Sequence, residues 1–147
     1  MSGSRVRSVR VSAQKRLETV RRLRILVADD EPDTVATLAA LLTEERHTVH
    51  TVYRGDHVAE AVRRFKPDVC ILDIVMPGES GYALAQQLSQ LGPDRPVLIA
   101  MTGIYVKKSE ELLARAVGFD RFFAKPTEPQ ELLRLLGQIA SSDTPQK

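Results

Sequence analysis

The stretch from Val69 to Gly81, VCILDIVMPGESG, constrains this chain more than any other. An apolar run bounded by Pro67 before and by Met76-Pro77-Gly78 after predicts a short strand buried on both faces. It ends on a carboxylate, Asp73. A charge beside so apolar a run is costly unless it reaches solvent, a cation or strong donors, so Asp73 is expected to leave the core into a polar pocket. Arg24-Ile25-Leu26-Val27-Ala28 is a second strand-like run, and it too ends in acids, Asp29-Asp30-Glu31. Two buried parallel strands ending side by side bring these carboxylates together. Such a cluster repels itself unless a cation sits in it, and a hard, oxygen-seeking ion such as Mg²⁺ is the natural occupant.

The remaining segments alternate in the same way. Pro32 fits a first helical position, and Val35, Leu38, Leu41 and Leu42 follow at helical spacing. His47 to Tyr53 alternates polar and apolar, as a half-exposed strand does, with His47 and His50 as surface residues. Arg54-Gly55-Asp56 then turns into a helix bearing Val58, Ala61, Val62 and Phe65. After Asp73, Ser80-Gly81-Tyr82 opens a third helix with Leu84, Leu88 and Leu91 as its buried stripe, stopped by Gly92-Pro93. Pro96 to Met101 is another apolar strand, ending on Thr102-Gly103. Residues 108–117 have helical spacing at Leu112, Leu113, Ala116 and Val117. Arg121 to Ala124 is the fifth strand and runs into Lys125-Pro126. Thr127-Glu128-Pro129-Gln130 has the form of a capping box for a last helix through Leu132, Leu133, Leu135, Leu136 and Ile139, beyond which Ser141 to Lys147 should fray.

Five strand–helix alternations with short connections imply an α/β fold, a parallel sheet with helices on both faces. In open sheets of this kind ligands bind beyond the carboxyl ends of the strands. Asp29, Asp30, Asp73, Thr102 and Lys125 all fall there.

At 147 residues and 43% hydrophobic content the chain suits one domain with a sizeable core. The single cysteine, Cys70, lies inside a strand pattern, which excludes an internal disulfide and suits a reducing compartment. No run is long enough to span a bilayer and no apolar segment follows the basic start, so a soluble, cytoplasmic protein is expected. Residues 1–24 carry eight Lys/Arg against one acid, Glu18, a net of +7, which leaves −5 on the rest of a chain of formal net charge +2. That arm holds no aromatic residue to stack on bases or anchor in headgroups, so neither direct DNA binding nor membrane association is expected of it. Residues 1–22 read as a basic extension, flexible or partly helical around Leu17, Val20 and Leu23.

Acids with Mg²⁺, a hydroxyl and a lysine are what a phosphoryl group needs when a carboxylate receives it. The metal and the ammonium neutralise its equatorial oxygens while Asp73 supplies the attacking oxygen. There is no Gly-x-x-x-x-Gly-Lys loop to cradle a nucleotide, so the donor must bring its own activation, as a phosphohistidine does.

With Asp29-Asp30-Glu31, Asp73-Ile-Val-Met-Pro77 and Gly81, Thr102-Gly103 and Lys125-Pro126 in this order at these strand ends, the chain resembles the receiver domain of two-component response regulators, of the chemotaxis-receiver-like kind. The resemblance covers about residues 23–140 and leaves 141–147 as a tail. It implies a flavodoxin-like (βα)5 doubly wound sheet of strand order 2-1-3-4-5. It further implies that Asp73 is the phosphoacceptor in a Mg²⁺-dependent reaction, with Mn²⁺ a possible substitute, and that Asp30, Asp73 and the Val75 backbone carbonyl bind the ion while Asp29 helps through water. Thr102 would hydrogen-bond the phosphoryl group, Lys125 would pair with it, the Lys125–Pro126 bond would be cis, and Phe122 would be the switch aromatic. The donor would be a sensor histidine kinase or a histidine phosphotransfer protein. Such a receiver catalyses only its own phosphorylation and dephosphorylation and is not an enzyme in the usual sense. With no effector domain after the last helix, the signal would leave through helix four, strand five and helix five, around Glu111, Arg115, Asp120, Arg121 and Arg134, to a downstream protein or a second copy. The alternatives are a receiver-like interaction module that is not phosphorylated, and a flavin carrier or phosphatase of the same topology. The latter two would want a hydroxyl-rich loop after strand one or a second acid at Val75, and the sequence has neither.

Overall fold

A computed structural model of the chain describes residues 21–103, 107–125 and 128–142. Expectations for the N-terminal extension before residue 21, for the Lys125–Pro126 bond and for Thr127 lie outside the described residues.

Residues 23–127 form one compact unit. Its five strands are β1 (Arg24–Ala28), β2 (Thr48–Val52), β3 (Val69–Asp73), β4 (Val97–Thr102) and β5 (Arg121–Ala124), joined by α1 (Pro32–Glu44), α2 (Val58–Phe65), α3 (Gly81–Ser89) and α4 (Lys108–Val117). All pairings are parallel, in the order β2-β1-β3-β4-β5. This is the expected flavodoxin-like arrangement. The order reverses between β1 and β3, so the ends of these two strands flank the crevice that such a reversal opens.

Strand alternation divides the core. Leu26, Ala28, Val52, Cys70, Leu72, Leu98 and Ala100 pack on the side of α2, α3 and α4, against Val58, Val62, Leu84, Leu88 and Ala114. The opposite parity, Ile25, Val27, Ile71 and Ile99, is equally buried. Burial on both faces is what turns β1, β3 and β4 into continuous apolar runs rather than alternating ones. β2 is an edge strand, and its burial departs from simple alternation: Thr48 and His50 are exposed, Val49 and Thr51 half-buried, and Val52, on the same face as His50, is buried where that face meets α2. His47 lies just before it, half-buried, and its Nδ1 accepts from the Leu23 backbone N–H at 3.0 Å.

Ser80 caps α3, its hydroxyl accepting from the Ala83 N–H at 3.2 Å, a contact type worth about 1 kcal/mol. A Cβ at Gly81 would stand 2.7 Å from Ile74 Cα and 2.8 Å from the Asp73 carbonyl oxygen, so only glycine lets the helix start against the end of β3. Three details differ from expectation. Leu91 lies beyond the end of α3 and is 49% exposed, because the helix stops at Ser89 and the turn over Gly92–Asp94 carries the chain outward. On α4 Ala114 is buried in the core and Val117 packs against it half-buried, as expected of Val117, while Leu112, Leu113 and Ala116 are exposed. The last helix, α5 (Pro129–Ser142), described by itself, runs two residues past Ala140, with the Ser141 hydroxyl bonding back to the Gly137 and Gln138 carbonyls. Leu132, Leu135 and Leu136 on it are buried, as the spacing predicts.

The loop after β3 is stitched to the loop after β2. The Gly55 N–H donates to the Pro77 carbonyl at 2.9 Å, and a Cβ at Gly55 would fall 1.7 Å from the Glu79 carbonyl oxygen. Gly55→Ala is therefore expected to force the loops apart and lower the unfolding free energy by about 2–3 kcal/mol. Urea denaturation measures this, and a loss under about 0.5 kcal/mol would show that the contact is not holding the loops.

Candidate functional site

Asp29 follows β1 directly and is 3% exposed, because its backbone N–H still donates to the Val52 carbonyl of β2 at 3.1 Å and holds it at the sheet edge. Asp30, one residue further, is exposed. Asp73 is the last residue of β3 and is 6% exposed. Oxygens of Asp29, Asp30 and Asp73 lie within 4.8 Å of one another, the one such group of potential metal ligands among the described residues.

Lys125, just past β5, enters this cluster from the other side. Its backbone N–H donates to the Thr102 carbonyl at 2.7 Å, which continues the β4–β5 pairing and points the side chain over the ends of β4 and β3. The ammonium donates to Asp29 Oδ2, and to Asp73 Oδ2 at 3.1 Å; Glu31 Oε1 stands 3.6 Å away. The other Asp73 oxygen, Oδ1, accepts from the Val75 N–H at 3.1 Å. Asp29 Oδ1 accepts from the Glu31 N–H at 3.0 Å. Each buried carboxylate is thus oriented by one backbone donor and one shared ammonium. Glu31 was expected among the acids at this edge but had no role assigned to it, and the structure places it beside Lys125. Its place directly after Asp29-Asp30 was the available signal.

Thr102, at the end of β4, is buried at the same edge. The β4–β5 register pairs Ala100 with Phe122 and Thr102 with Ala124, so Thr102 and Phe122 project to the same face of the sheet, one register step apart. Phe122 is half-buried and packs on the α2–α3–α4 core. Val75 is 58% exposed beside the cluster. A Cβ at Gly103 would make only ordinary contact with the Lys125 stem, at 3.6 Å.

Burial raises the Asp73 carboxyl to about 6, with the Asp29 charge adding to the rise and the Lys125 hydrogen bond opposing it. Burial also works against the charge of Lys125, but its hydrogen bonds to Asp29 and Asp73 prevail and hold the amine above its ordinary value. One ammonium therefore does not compensate the acids around it. That deficit, with an all-oxygen donor set on one edge, fits a hard divalent cation.

Comparison with known proteins agrees with this geometry. The family model for the response regulator receiver domain matches residues 25–137. The transcriptional regulatory protein TcrA of Mycobacterium tuberculosis is 36% identical over 118 residues, covering 80% of this chain and 46% of that protein. The transcriptional regulatory protein CreB of Escherichia coli is 34% identical over 128 residues, covering 82% of this chain and 54% of that protein. The chain thus spans about half the length of these relatives. The crystal structure of the BeF3-activated N-terminal receiver domain of Klebsiella pneumoniae RstA superposes with a TM-score of 0.74 at 27% identity, covering 80% of this chain and 97% of that one. This chain belongs to the response regulator receiver domain family of two-component systems.

The raised Asp73 pKa has a stability consequence with a definite sign. A carboxyl held at about 6 in the folded chain against an ordinary 3.8 binds its proton more tightly folded than unfolded. Its contribution to stability is therefore full below the ordinary value and is lost as pH rises through about 6. Asp73→Asn cannot ionise. Without metal, the variant is expected to melt above the wild type at pH 7.5, with the difference shrinking toward pH 4. Thermal denaturation in a chelator reads this directly, and a variant melting below wild type at pH 7.5 would show that the Lys125 contact outweighs burial.

Proposed function

We propose that this chain is a phosphoaccepting receiver, taking a phosphoryl group from a histidine kinase or histidine phosphotransfer protein onto Asp73. The observation that carries this reading is the state of the Asp73 carboxylate. One oxygen is fixed by the Val75 N–H and the other lies against the Lys125 ammonium, inside an acid cluster short of positive charge.

In the transfer, an Asp73 carboxylate oxygen forms a bond to phosphorus as the bond from phosphorus to the donor's imidazole nitrogen breaks. The imidazole leaves with the electron pair and is neutralised by a proton. Lys125 stays within reach of both the acceptor and the incoming phosphoryl oxygens, and Thr102 offers them a hydroxyl from the end of β4. Asp30, Asp73 and the Val75 carbonyl would hold Mg²⁺, or Mn²⁺ in its place, with Asp29 acting through water. Bound there, the ion supplies the charge that lets a dianionic phosphoryl group approach acids. A receiver-like module that takes no phosphoryl group would have no use for this complete set.

Thr102 and Phe122 share one face of the sheet, and the reading makes them the switch. Thr102 moves toward the phosphoryl group, and Phe122 turns into the space behind it. Such a change selects an arrangement the free protein already samples, and its extent is bounded by the difference in phosphoryl contacts between the two states. The output then leaves by way of α4 and β5, where exposed Leu112 and Leu113 stand beside the Glu111–Arg115 pair. A downstream protein or a second copy would dock there, in the cytoplasm. Consistent with that location, no helix among the described residues is long and apolar enough to cross a membrane.

Incubation with acetyl phosphate and Mg²⁺ is expected to add the mass of one phosphoryl group to the intact chain, and chelation or Asp73→Asn to abolish the addition. Labelling of the Asn variant at wild-type rate would refute the proposal.

A further inference from the structure

The edge of the sheet farthest from β5 carries a second surface that phosphoryl chemistry does not use. The Thr48 N–H donates to the Leu23 carbonyl, and the Val52 carbonyl accepts from Asp29. In a parallel ladder alternate residues turn both backbone groups to the same neighbour, so Thr48, His50 and Val52 face β1. Val49 and Thr51 therefore present their N–H and C=O groups outward, and no strand pairs with that side among the described residues. The strand itself, Thr-Val-His-Thr-Val, contains no lysine, proline or bulge of the kinds that blunt an exposed edge.

Beside this edge, between β2 and α2, lies an open cleft of about 470 Å³. Its floor is the Phe65 ring, with His50 stacked at 5.3 Å between centroids and the Arg24 guanidinium 4.1 Å over the ring. Arg64 and His57 stand at its rim. Its lining carries two guanidinium groups, Arg24, which also donates to the Phe65 carbonyl, and Arg64, against one carboxylate, Glu60, which pairs with Arg64. The local balance is positive although the chain beyond residue 24 is net negative.

We propose that the β2 edge and this cleft bind an extended acidic segment of a partner protein, which adds a strand to the sheet and lays alternate carboxylates along the α2 side. The backbone groups of Val49 and Thr51 supply the pairing, Arg64 the charge and His57 a hydrogen-bonding ring at the rim. Other occupants fit less well. A second copy pairing β2 to β2 would bring two positive rims together, and the chain's own residues 1–22 carry almost only positive charge.

The test titrates the full ¹⁵N-labelled chain with an extended peptide, acetyl-Thr-Glu-Val-Glu-Thr-Glu-Val-amide, and with the same peptide carrying lysine in place of each glutamate. The acidic peptide is expected to shift the amides of Val49, Thr51, His57 and Arg64 and to slow exchange at Val49 and Thr51, with an affinity that falls as salt rises. The lysine peptide should do neither. Arg64, 79% exposed at its side chain, tolerates substitution, and Arg64→Glu is expected to weaken binding by roughly tenfold or more. Thr51→Pro, which removes an outward N–H and no ladder bond, should abolish it; if that variant does not fold, the Arg64 result and the exchange data decide. Shifts that miss Val49 and Thr51, equal binding of the lysine peptide, or full affinity in Arg64→Glu would overturn the proposal. So would concentration-dependent dimerisation through these amides without peptide, which would give the edge to a second copy.

Discussion

The Lys125 ammonium among the acids of β1 and β3 is the contact on which the rest of the site depends. It joins residues 29, 73 and 125, which meet only if β1, β3, β4 and β5 lie in the observed order and end at one edge. The same contact is incomplete: burial leaves Asp73 reluctant to ionise despite the lysine beside it. A fully compensated cluster would be inert, whereas this one keeps a deficit of positive charge that suits a cation, as the proposed phosphoryl transfer requires. Buried ion clusters stabilise little once desolvation is counted, so this arrangement is better understood through its chemistry than through its stability.

The strand tips are joined to the surface by close backbone contacts rather than by long side chains. Gly81 lets α3 begin against Asp73, and Gly55 lets the loop after β2 lie on the loop after β3. The Asp73 loop is thereby tied to the start of α2, and Thr102 is tied by register to Phe122. Packed elements of this kind shift between discrete arrangements rather than deforming smoothly, which is what a switch requires.

Much of this was legible in the sequence because burial on both sides of a parallel sheet writes itself as unbroken apolar runs. Val69–Asp73 and Arg24–Ala28 could hardly be anything else, and polar residues at the ends of such runs had to gather at one edge. Helix faces were less legible. Periodicity marks Leu112 and Leu113 as apolar but not whether anything covers them, and both are exposed while the smaller Ala114 reaches the core. Leu91 continued a helical stripe whose helix had already ended. Arg54-Gly55-Asp56 looked like an ordinary turn, since a glycine needed for close approach to another loop has the same sequence signature as one needed only to bend. Glu31 was visible as a third acid, but its distance to Lys125 depends on the turn into α1, which spacing alone does not define.

The central claim is that Asp73, and no other carboxylate of the cluster, receives the phosphoryl group. An acyl phosphate is reduced by borohydride to the alcohol, so the acceptor aspartate becomes homoserine and can be located by peptide mass spectrometry. After reaction with a phosphorylated histidine phosphotransfer protein and Mg²⁺, homoserine is expected at position 73 alone, and nowhere when the metal is chelated. Homoserine at Asp29 or Asp30, or an unmodified Asp73 in a chain that has gained a phosphoryl group, would contradict the account.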